Sequence, residues 1–374
     1  MQINTNTTGM EAGLTVATDK DGRDHCVVVV KGTFVVGPDG TPSPAETQEP
    51  LVTADIHYGD PAATSIQYEC EFAMLKPRAD VIVNGQAVAL GGKPVTEMTV
   101  ALELGSMRKE IRVVGDRRWE GGILGYAASD PVPFVTMPLV FERAFGGSDQ
   151  THPNPKHHGA ELRNLVGVGF HKNSDGSAIE GSPLPNLERP RHPVRSWSDT
   201  PPPIGYGTIG RGWQPRVKYA GTYNQRWLDE RFPFLPEDFD PQYFLAAPAD
   251  QQVPHLKGGE VVRCLNMTPE RTFELHTPRF GFPIFFRFRD RDVKTAPQLD
   301  TLIVEPDRKR FLAVWRASTP LGRKLNALRE VVIGPRPRPV AIPPTGGRRR
   351  FRSLEELAAW NRAHGRPRPK RPER

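Results

Sequence analysis

The sequence predicts a mainly β protein, with an antiparallel β-sandwich-like body, a long loop-rich central excursion and few short helices. Apolar and polar residues alternate with a period of two in separate stretches, which is typical of half-buried antiparallel strands. The 374 residues include 39 prolines and 35 glycines, about a fifth of the chain, where roughly 12% is usual. So many turn-forming residues indicate short elements joined by turns, and they argue against a helical bundle.

Two parts of the chain, residues 1–115 and 260–318, are predicted to supply the strands of the body. Residues 26–36 read CVVVVKGTFVV, a β-branched run that is typical of a strand. Residues 65–74 and 97–104 alternate between apolar and polar side chains, so one face of each predicted strand is expected to be buried and the other solvated.

Turn residues predict three hairpins. Asn84-Gly85 lies between two short apolar runs, and both residues tolerate positive φ. Gly105-Ser106 separates the strand that ends at residue 104 from the next apolar stretch, and Pro306-Asp307 separates two strand-like runs near the end of the body. Each pair of flanking runs is expected to form neighbouring antiparallel strands.

Residues 116–259 are predicted to form the central excursion, because they are rich in Pro, Gly, Asn and His. Residues 134–143 predict a single strand within it. Thr222 and Gln225 match a capping box, so a short helix is expected over residues 224–231 that stops before Pro233.

The segment of residues 208–244 is the densest in aromatic side chains, with four prolines among them. The prolines exclude one long helix, and a disordered segment would be poor in aromatics. We expect an ordered, irregular segment whose aromatic surface is buried either in its own core or against a partner. Trp, Tyr and Arg are enriched at binding hot spots. The predicted partner-binding residues are Arg211, Trp213, Arg216, Tyr219, Tyr223 and Trp227.

The basic charge of the chain is concentrated in its last segment. Residues 335–374 hold twelve Lys and Arg against three Asp and Glu, whereas the rest of the chain holds 38 basic and 40 acidic residues. Residues 321–374 are therefore predicted to be a basic Pro/Arg-rich tail, with a short helix at 354–364. Binding of an anionic surface or nucleic acid through this tail stays an alternative function, although few aromatic side chains interleave with its arginines.

Cysteine usage and hydropathy predict a cytoplasmic protein. Cys26, Cys70 and Cys264 are far apart and form no CxxC pair, which favours reduced thiols. The polar start of the chain lacks a signal-peptide pattern, and no run approaches the roughly 18 apolar residues of a membrane span. We expect no membrane partner.

Several polar clusters invite a catalytic or metal-binding interpretation, but none has the spacing of a known motif. The histidines in the excursion lack HExxH or Cys/His finger spacing. Gly205-x-Gly207-x-x-Gly210 follows prolines rather than a strand, so it does not predict a dinucleotide site. We therefore predict no catalytic residue, no metal site and no cofactor, and we keep a hydrolase as an alternative. The residues it would use are Asp55 and Asp60, or His152, His157, His158 and His171.

Seven co-linear blocks of the chain resemble the bacterial domain of unknown function 2169 family. The resemblance covers roughly residues 1–320, which implies a single family domain over that range. Members of this family are commonly encoded beside parts of type VI secretion systems, and no catalytic residues are established for them. The resemblance implies a non-enzymatic adaptor or chaperone that binds a PAAR-type tip protein or an effector toxin and assists its loading on the VgrG spike. The blocks are Val27–Phe34, Gly59–Pro61, Lys76–Gly85, Pro138–Gly147, Leu184–Glu188, Ile209–Tyr223 and Leu235–Gln251.

Overall fold

The first third of the chain folds into strands, as its β-branched and alternating runs predict. The computed structural model describes residues 2–123, 125–172, 176–322 and 327–335. The strands of this third are β1 (Ile3–Asn6), β2 (Glu11–Thr18), β3 (Asp24–Val36), β4 (Pro42–Pro44), β5 (Ile56–His57), β6 (Ile66–Tyr68), β7 (Ala79–Val83), β8 (Gln86–Val88), β9 (Glu97–Leu104) and β10 (Met107–Val114).

The central excursion contains only short elements, as its Pro/Gly content predicts. Its strands are β11 (Trp119–Gly122), β12 (Gly125–Ala128), β13 (Thr136–Pro138), β14 (Phe145–Gly146), β15 (Ser148–Asp149), β16 (Gly159–Ala160), β17 (Val168–Gly169), β18 (Leu187–Glu188) and β19 (Gln252–Val253). Its α-helices are α1 (Gly176–Ile179), α2 (Gln214–Val217) and α3 (Gln225–Glu230).

Longer strands return after residue 260. They are β20 (Val261–Leu265), β21 (Thr272–His276), β22 (Ile284–Phe288), β23 (Asp292–Thr295), β24 (Gln298–Glu305), β25 (Arg310–Pro320) and β26 (Leu328–Ile333). The chain is also interrupted by single 3-10 turns, at Leu90–Gly92, Phe141–Arg143, Pro155–His157, Pro241–Phe244, Ala249–Gln251 and Pro306–Arg308.

A seven-stranded sheet is built around β3, which confirms the strand predicted at residues 26–36. The strand order is β19-β7-β24-β25-β3-β2, and β4 pairs with the end of β3. Val28 and Val30 belong to the main core, whereas Val27 and Val29 pack in a separate cluster with other apolar side chains. Because both faces of the strand are covered, the sequence is a continuous apolar run rather than an alternation.

The main core is shared by three sheets. A five-stranded sheet has the order β18-β10-β9-β20-β21, and a four-stranded sheet has the order β1-β26-β22-β23. Val81 of the seven-stranded sheet, Leu102 of the five-stranded sheet and Phe286 of the four-stranded sheet lie in one cluster of buried apolar residues. Sheets packed over a common core confirm the predicted mainly β fold class.

Two of the three predicted hairpins are confirmed. The chain turns from β9 into β10 at Gly105-Ser106, and from β24 into β25 across Pro306-Asp307. The hairpin at Asn84-Gly85 is wrong, because β7 pairs with β24 in parallel whereas β8 pairs with β13. Antiparallel pairs predominate, but β1 also pairs with β26 in parallel. The body is therefore not purely antiparallel.

The strand predicted over residues 65–74 is largely wrong. Only β6 is formed there, paired with the two residues of β5, and the rest of the segment has no strand structure. Glu71, which the alternation places on a solvated face, is buried and forms an ion pair with Lys31 Nζ at 3.0 Å. A buried carboxylate needs such a partner. The ion pair, rather than the hydrogen bonds of a strand, therefore fixes the position of this segment.

The central excursion is joined to both large sheets. β18 extends the five-stranded sheet beside β10, and β19 extends the seven-stranded sheet beside β7. The strand predicted at residues 134–143 is the shorter β13, followed by a 3-10 turn. The helix predicted at 224–231 is α3, but the predicted capping box is wrong, because the N-cap is Asn224 and Thr222 donates to Asp238 instead.

The body continues beyond residue 320, because β26 pairs with β1 and β22. Contacts group the chain up to Pro335 into one compact unit. The predicted helix at 354–364 lies outside the described residues. Within the described ranges, every helix is too short or too polar to cross a membrane.

Candidate functional site

Residues 219–240 form a closed loop, which we call the aromatic knob. Its two ends are joined by a hydrogen bond from Asp240 N to Tyr219 O at 3.0 Å. One step further out, the backbone N and Oγ1 of Thr222 both donate to the Asp238 carboxylate, at 2.9 and 2.7 Å. A surface loop whose ends meet and are bonded in this way has a defined shape.

Trp227 is the centre of the aromatic knob. The Asn224 side chain caps α3 by accepting from Trp227 N at 3.0 Å, and the indole Nε1–H donates to Phe234 O at 2.9 Å. The Trp227 ring meets Tyr223 and Phe232 edge to face, with centroids 4.8 and 5.6 Å away. Such contacts and a satisfied indole N–H hold the rings in fixed orientations.

The aromatic knob exposes a patch of large apolar side chains. The exposed fractions are 54% for Tyr223, 51% for Leu228, 64% for Phe232 and 42% for Phe234. Single exposed apolar residues are common, but several together on one small loop are typical of an interaction surface. Leu228, Phe232 and Phe234 are not among the residues predicted from the sequence, although the dense aromatic and proline pattern includes them.

A turn of the body supports the aromatic knob from behind. Arg231 donates to Lys20 O in the turn between β2 and β3. The Phe234 ring covers Gly22 of the same turn, where a Cβ would lie 3.3 Å from the ring. The exposed patch is therefore carried by a loop that is fixed at its base and at its side.

Trp213 and Arg216, two of the predicted partner-binding residues, lie in the interior. Trp213 is 7% exposed and packs perpendicular to Phe141 with centroids 5.3 Å apart. Arg216 is 3% exposed. Its guanidinium donates to Ile209 O at 2.7 Å and to the Glu69 carboxylate at 2.7 Å. These two side chains stabilise the base of the excursion, and a partner at the surface does not reach them.

Arg211 and Tyr219 are half-buried and already have partners within the chain. Arg211 forms ion pairs with Asp55 at 3.1 Å and Glu69 at 3.0 Å. The Lys218 ammonium lies 4.7 Å from the centroid of the Tyr219 ring. Of the six predicted residues, only Tyr223 is exposed, and the half-buried Trp227 contacts the exposed rings of Tyr223 and Phe232.

The carboxylates considered for hydrolysis do not form a pair. Asp55 accepts from Cys70 N at 2.8 Å as well as pairing with Arg211. Asp60 caps its own turn by accepting from Ala62 N at 2.9 Å. Each carboxylate already has hydrogen-bond or ion-pair partners within the chain, and none of the pockets among the described residues is lined by both. Their arrangement is therefore not that of an acid and base across a substrate.

The histidines of the excursion are likewise engaged in local contacts. The His152 and His157 rings are tilted against each other with centroids 4.3 Å apart, and His158 Nε2 lies 2.8 Å from His152 O. In the part of the chain that the structure describes, no three His, Cys, Asp or Glu side chains are grouped to hold a metal ion.

His171 contacts a serine, but the pair is not arranged as nucleophile and base. His171 Nε2 lies 3.1 Å from Ser182 Oγ, and the same hydroxyl donates to Ile179 O at 2.6 Å. Since a hydroxyl has one hydrogen, the imidazole must donate to Ser182 rather than accept its proton. Burial lowers the pKa of His171, so a neutral ring with its proton on Nε2 fits this contact.

Comparison with known proteins assigns the chain to a family. The family described as "Uncharacterized protein conserved in bacteria (DUF2169)" matches residues 21–316, a range that includes the whole aromatic knob. No curated protein matches the chain, and no solved structure matches it either. The match spans most of the sequence, and the chain therefore belongs to the DUF2169 family of bacterial proteins.

Proposed function

We propose that the protein is a non-enzymatic adaptor of a type VI secretion system. It would bind a PAAR-type tip protein or an effector through the aromatic knob and assist loading on the VgrG spike. The observation that carries the binding part is the exposed patch of Tyr223, Leu228, Phe232 and Phe234 around a fixed Trp227. The secretion context comes from what the resemblance to the family implies.

The composition of the knob suits a protein partner. Aromatic side chains at the centre of a patch, surrounded by polar groups, are the usual anatomy of an interface. On the outer surface of α3, Arg226 pairs with Glu230 at 2.8 Å, and both side chains are exposed. These charges can form the polar rim, while the apolar patch forms the centre.

The expected affinity is moderate. Fully burying one exposed large apolar side chain contributes about 1.5–3 kcal/mol, and because these four are about half exposed they contribute roughly 3–6 kcal/mol together. Loss of translational and rotational freedom opposes binding by roughly 4–15 kcal/mol. A dissociable complex is what an adaptor needs, because its cargo has to be passed on to the spike.

Co-expression of the full chain with the tip protein and effector encoded beside it, followed by size-exclusion chromatography, tests the proposal. We expect one of them to co-elute with the wild type. Phe232→Ser and Leu228→Ser should weaken the complex at least tenfold, since each removes an apolar contact. Leu90→Ser is the matched control, because Leu90 is similarly exposed at 60% but lies outside the knob.

Three results would contradict the proposal: no co-elution with any candidate, an unchanged complex with both knob variants, or equal weakening by the control. The melting temperature of each variant separates loss of the surface from loss of the fold. Because the substituted side chains are exposed, all three variants should melt close to the wild type.

A further inference from the structure

A second candidate site is a pocket of about 360 Å³ beside β10. We call it the arginine pocket. It lies within the size range of small-ligand sites. Its charged lining residues are Lys109, Arg163, Arg189 and Asp250. The apolar part of its lining includes Phe141, Pro202, Pro203, Ile209, Pro215 and Pro248.

Two of the three cations are already neutralised. Lys109 Nζ donates to Gly205 O at 2.7 Å, to Asp250 Oδ1 at 2.8 Å and to Gln251 Oε1 at 2.7 Å, so all three of its hydrogens are used. The Arg163 guanidinium donates two hydrogen bonds to the Glu161 carboxylate, and the one from Nε to Oε1 is 2.7 Å long. Neither side chain requires a further anion.

Arg189 differs from its neighbours. Within the described ranges, its guanidinium has no carboxylate and no side-chain hydrogen bond, and its Nε is buried without a partner. Arg189 is half-buried, so the rest of its guanidinium is accessible. An anion in the pocket that paired with this guanidinium would form charge-assisted hydrogen bonds.

The pocket also carries an excess of positive charge. Burial lowers the pKa of Lys109 to about 8, Asp250 opposes this shift, and the charge of Arg189 adds to it. The charges of Lys109 and Arg189 thus repel each other. A bound anion would relieve that repulsion, which favours a negatively charged ligand over a neutral one.

We infer that the arginine pocket binds a carboxylate that carries an apolar group. The planar guanidinium of Arg189 matches a carboxylate in a bidentate contact, and the proline, Phe141 and Ile209 walls match the apolar group. A phosphate ester with two charges would need more free donors than this pocket offers. The inference goes beyond the proposed adaptor function, because the pocket and the aromatic knob are formed by different residues.

The carboxylate can belong to a free organic acid or to the last residue of a polypeptide. Isothermal titration of the full chain with 3-phenylpropionate tests the first source, and its amide is the neutral control. An N-acetylated hexapeptide ending in phenylalanine, as the free acid and as the C-terminal amide, tests the second. We expect at least one of the two acids to bind, and its amide to bind at least tenfold more weakly.

Arg189→Gln should weaken binding of that acid about tenfold or more while its melting temperature stays at or above that of the wild type. Arg195→Gln is the matched control, since Arg195 is an exposed arginine a few residues away and does not line the pocket. Phe232→Ser of the knob should bind the acid normally, so a failure of the adaptor proposal leaves this test intact.

The inference is overturned if neither acid binds, if acid and amide bind equally, or if Arg189→Gln binds like the wild type. Binding of the small acid alone assigns the pocket to a free carboxylic acid, and stronger binding of the peptide assigns it to a chain terminus. Both of these outcomes support the carboxylate site.

Discussion

Replacing Arg216 by methionine tests whether this residue supports the fold or contacts a partner. The sequence places it on a binding surface, whereas the structure buries it. Its guanidinium donates to Tyr243 O at 3.1 and 2.8 Å, to Ile209 O at 2.7 Å and to Glu69 Oε1 at 2.7 Å. Methionine keeps the apolar stem but removes every one of these hydrogen bonds.

The magnitude follows from what the substitution leaves without a partner. Breaking a buried ion pair costs about 3–5 kcal/mol when the remaining charge is uncompensated. Here Glu69 keeps Arg211 Nε at 3.0 Å, so we expect Arg216→Met to destabilise the fold by the lower value, about 3 kcal/mol. At roughly 2 °C per kcal/mol for a large domain, the melting temperature should fall by about 6 °C.

Differential scanning calorimetry of the full chain measures this shift. Arg226→Met is the matched control: its side chain is 72% exposed and pairs with Glu230 one turn along α3, so it should lose no more than about 0.5 kcal/mol. A partner-contact role for Arg216 predicts an unchanged melting temperature with a lost complex. If the two variants melt within about 1 °C of each other, the structural interpretation of Arg216 is refuted.

Three further predictions concern titration, thiol reactivity and the knob. Because burial holds the pKa of Lys109 near 8, the unfolded state binds more protons than the folded state above that pH. The free energy of unfolding of the wild type should therefore rise by about 2 kcal/mol relative to that of Lys109→Met between pH 7 and 9.5. The same pH dependence for both proteins would contradict this. Burial raises the pKa of Cys26 to about 11 and of Cys264 to about 12, so N-ethylmaleimide should react with Cys70 first. Mass spectrometry of the digested protein measures this order, and equal labelling rates of the three cysteines would contradict it. Asn224→Ala removes the N-cap of α3, which stabilises the helix by about 1 kcal/mol, so amide hydrogen exchange across α3 should become about fivefold faster. Asn224→Asp keeps a capping oxygen and should leave the exchange rate unchanged.

The sequence predicts those strands of the body whose signal is local. β3 is recognisable because its valine run needs burial on both faces, and β9 and β10 are recognisable because alternation and a Gly-Ser turn agree. The turn at Asn84-Gly85 carries an equally strong local signal, yet the strands on its two sides pair with β24 and β13. Those partners lie far along the chain, and no turn residue specifies them.

Buried ion pairs are the second reason why parts of the fold are predicted wrongly from the sequence. Residues 65–74 alternate like a strand with one wet face, and a single sequence gives no sign that Lys31 lies opposite Glu71. Arg216 and Glu69 pair in the same way, and their side chains are only 4% and 9% exposed. An ion pair between distant segments changes the expected location of its members from surface to interior, which composition and periodicity do not reveal.

The same limit applies to the candidate site. Aromatic density correctly located the segment, but it did not separate Trp213, which packs on Phe141, from Trp227, which faces the exposed patch. The difference is set by what each ring meets in space. Phe232 and Phe234 were missed because the residues were selected by the enrichment of Trp, Tyr and Arg at hot spots, a criterion that leaves out phenylalanine.

The division of the aromatic segment into a buried base and an exposed knob depends on one glycine. Gly221 has a φ of +85°, and a Cβ there would lie 2.8 Å from Pro236. Glycine is therefore required where the chain leaves the interior and begins the closed loop. With the loop also bonded at its ends and against the β2–β3 turn, its aromatic side chains are ordered before any partner arrives. A preordered patch would lose little entropy on binding, which is what the proposed reversible complex requires.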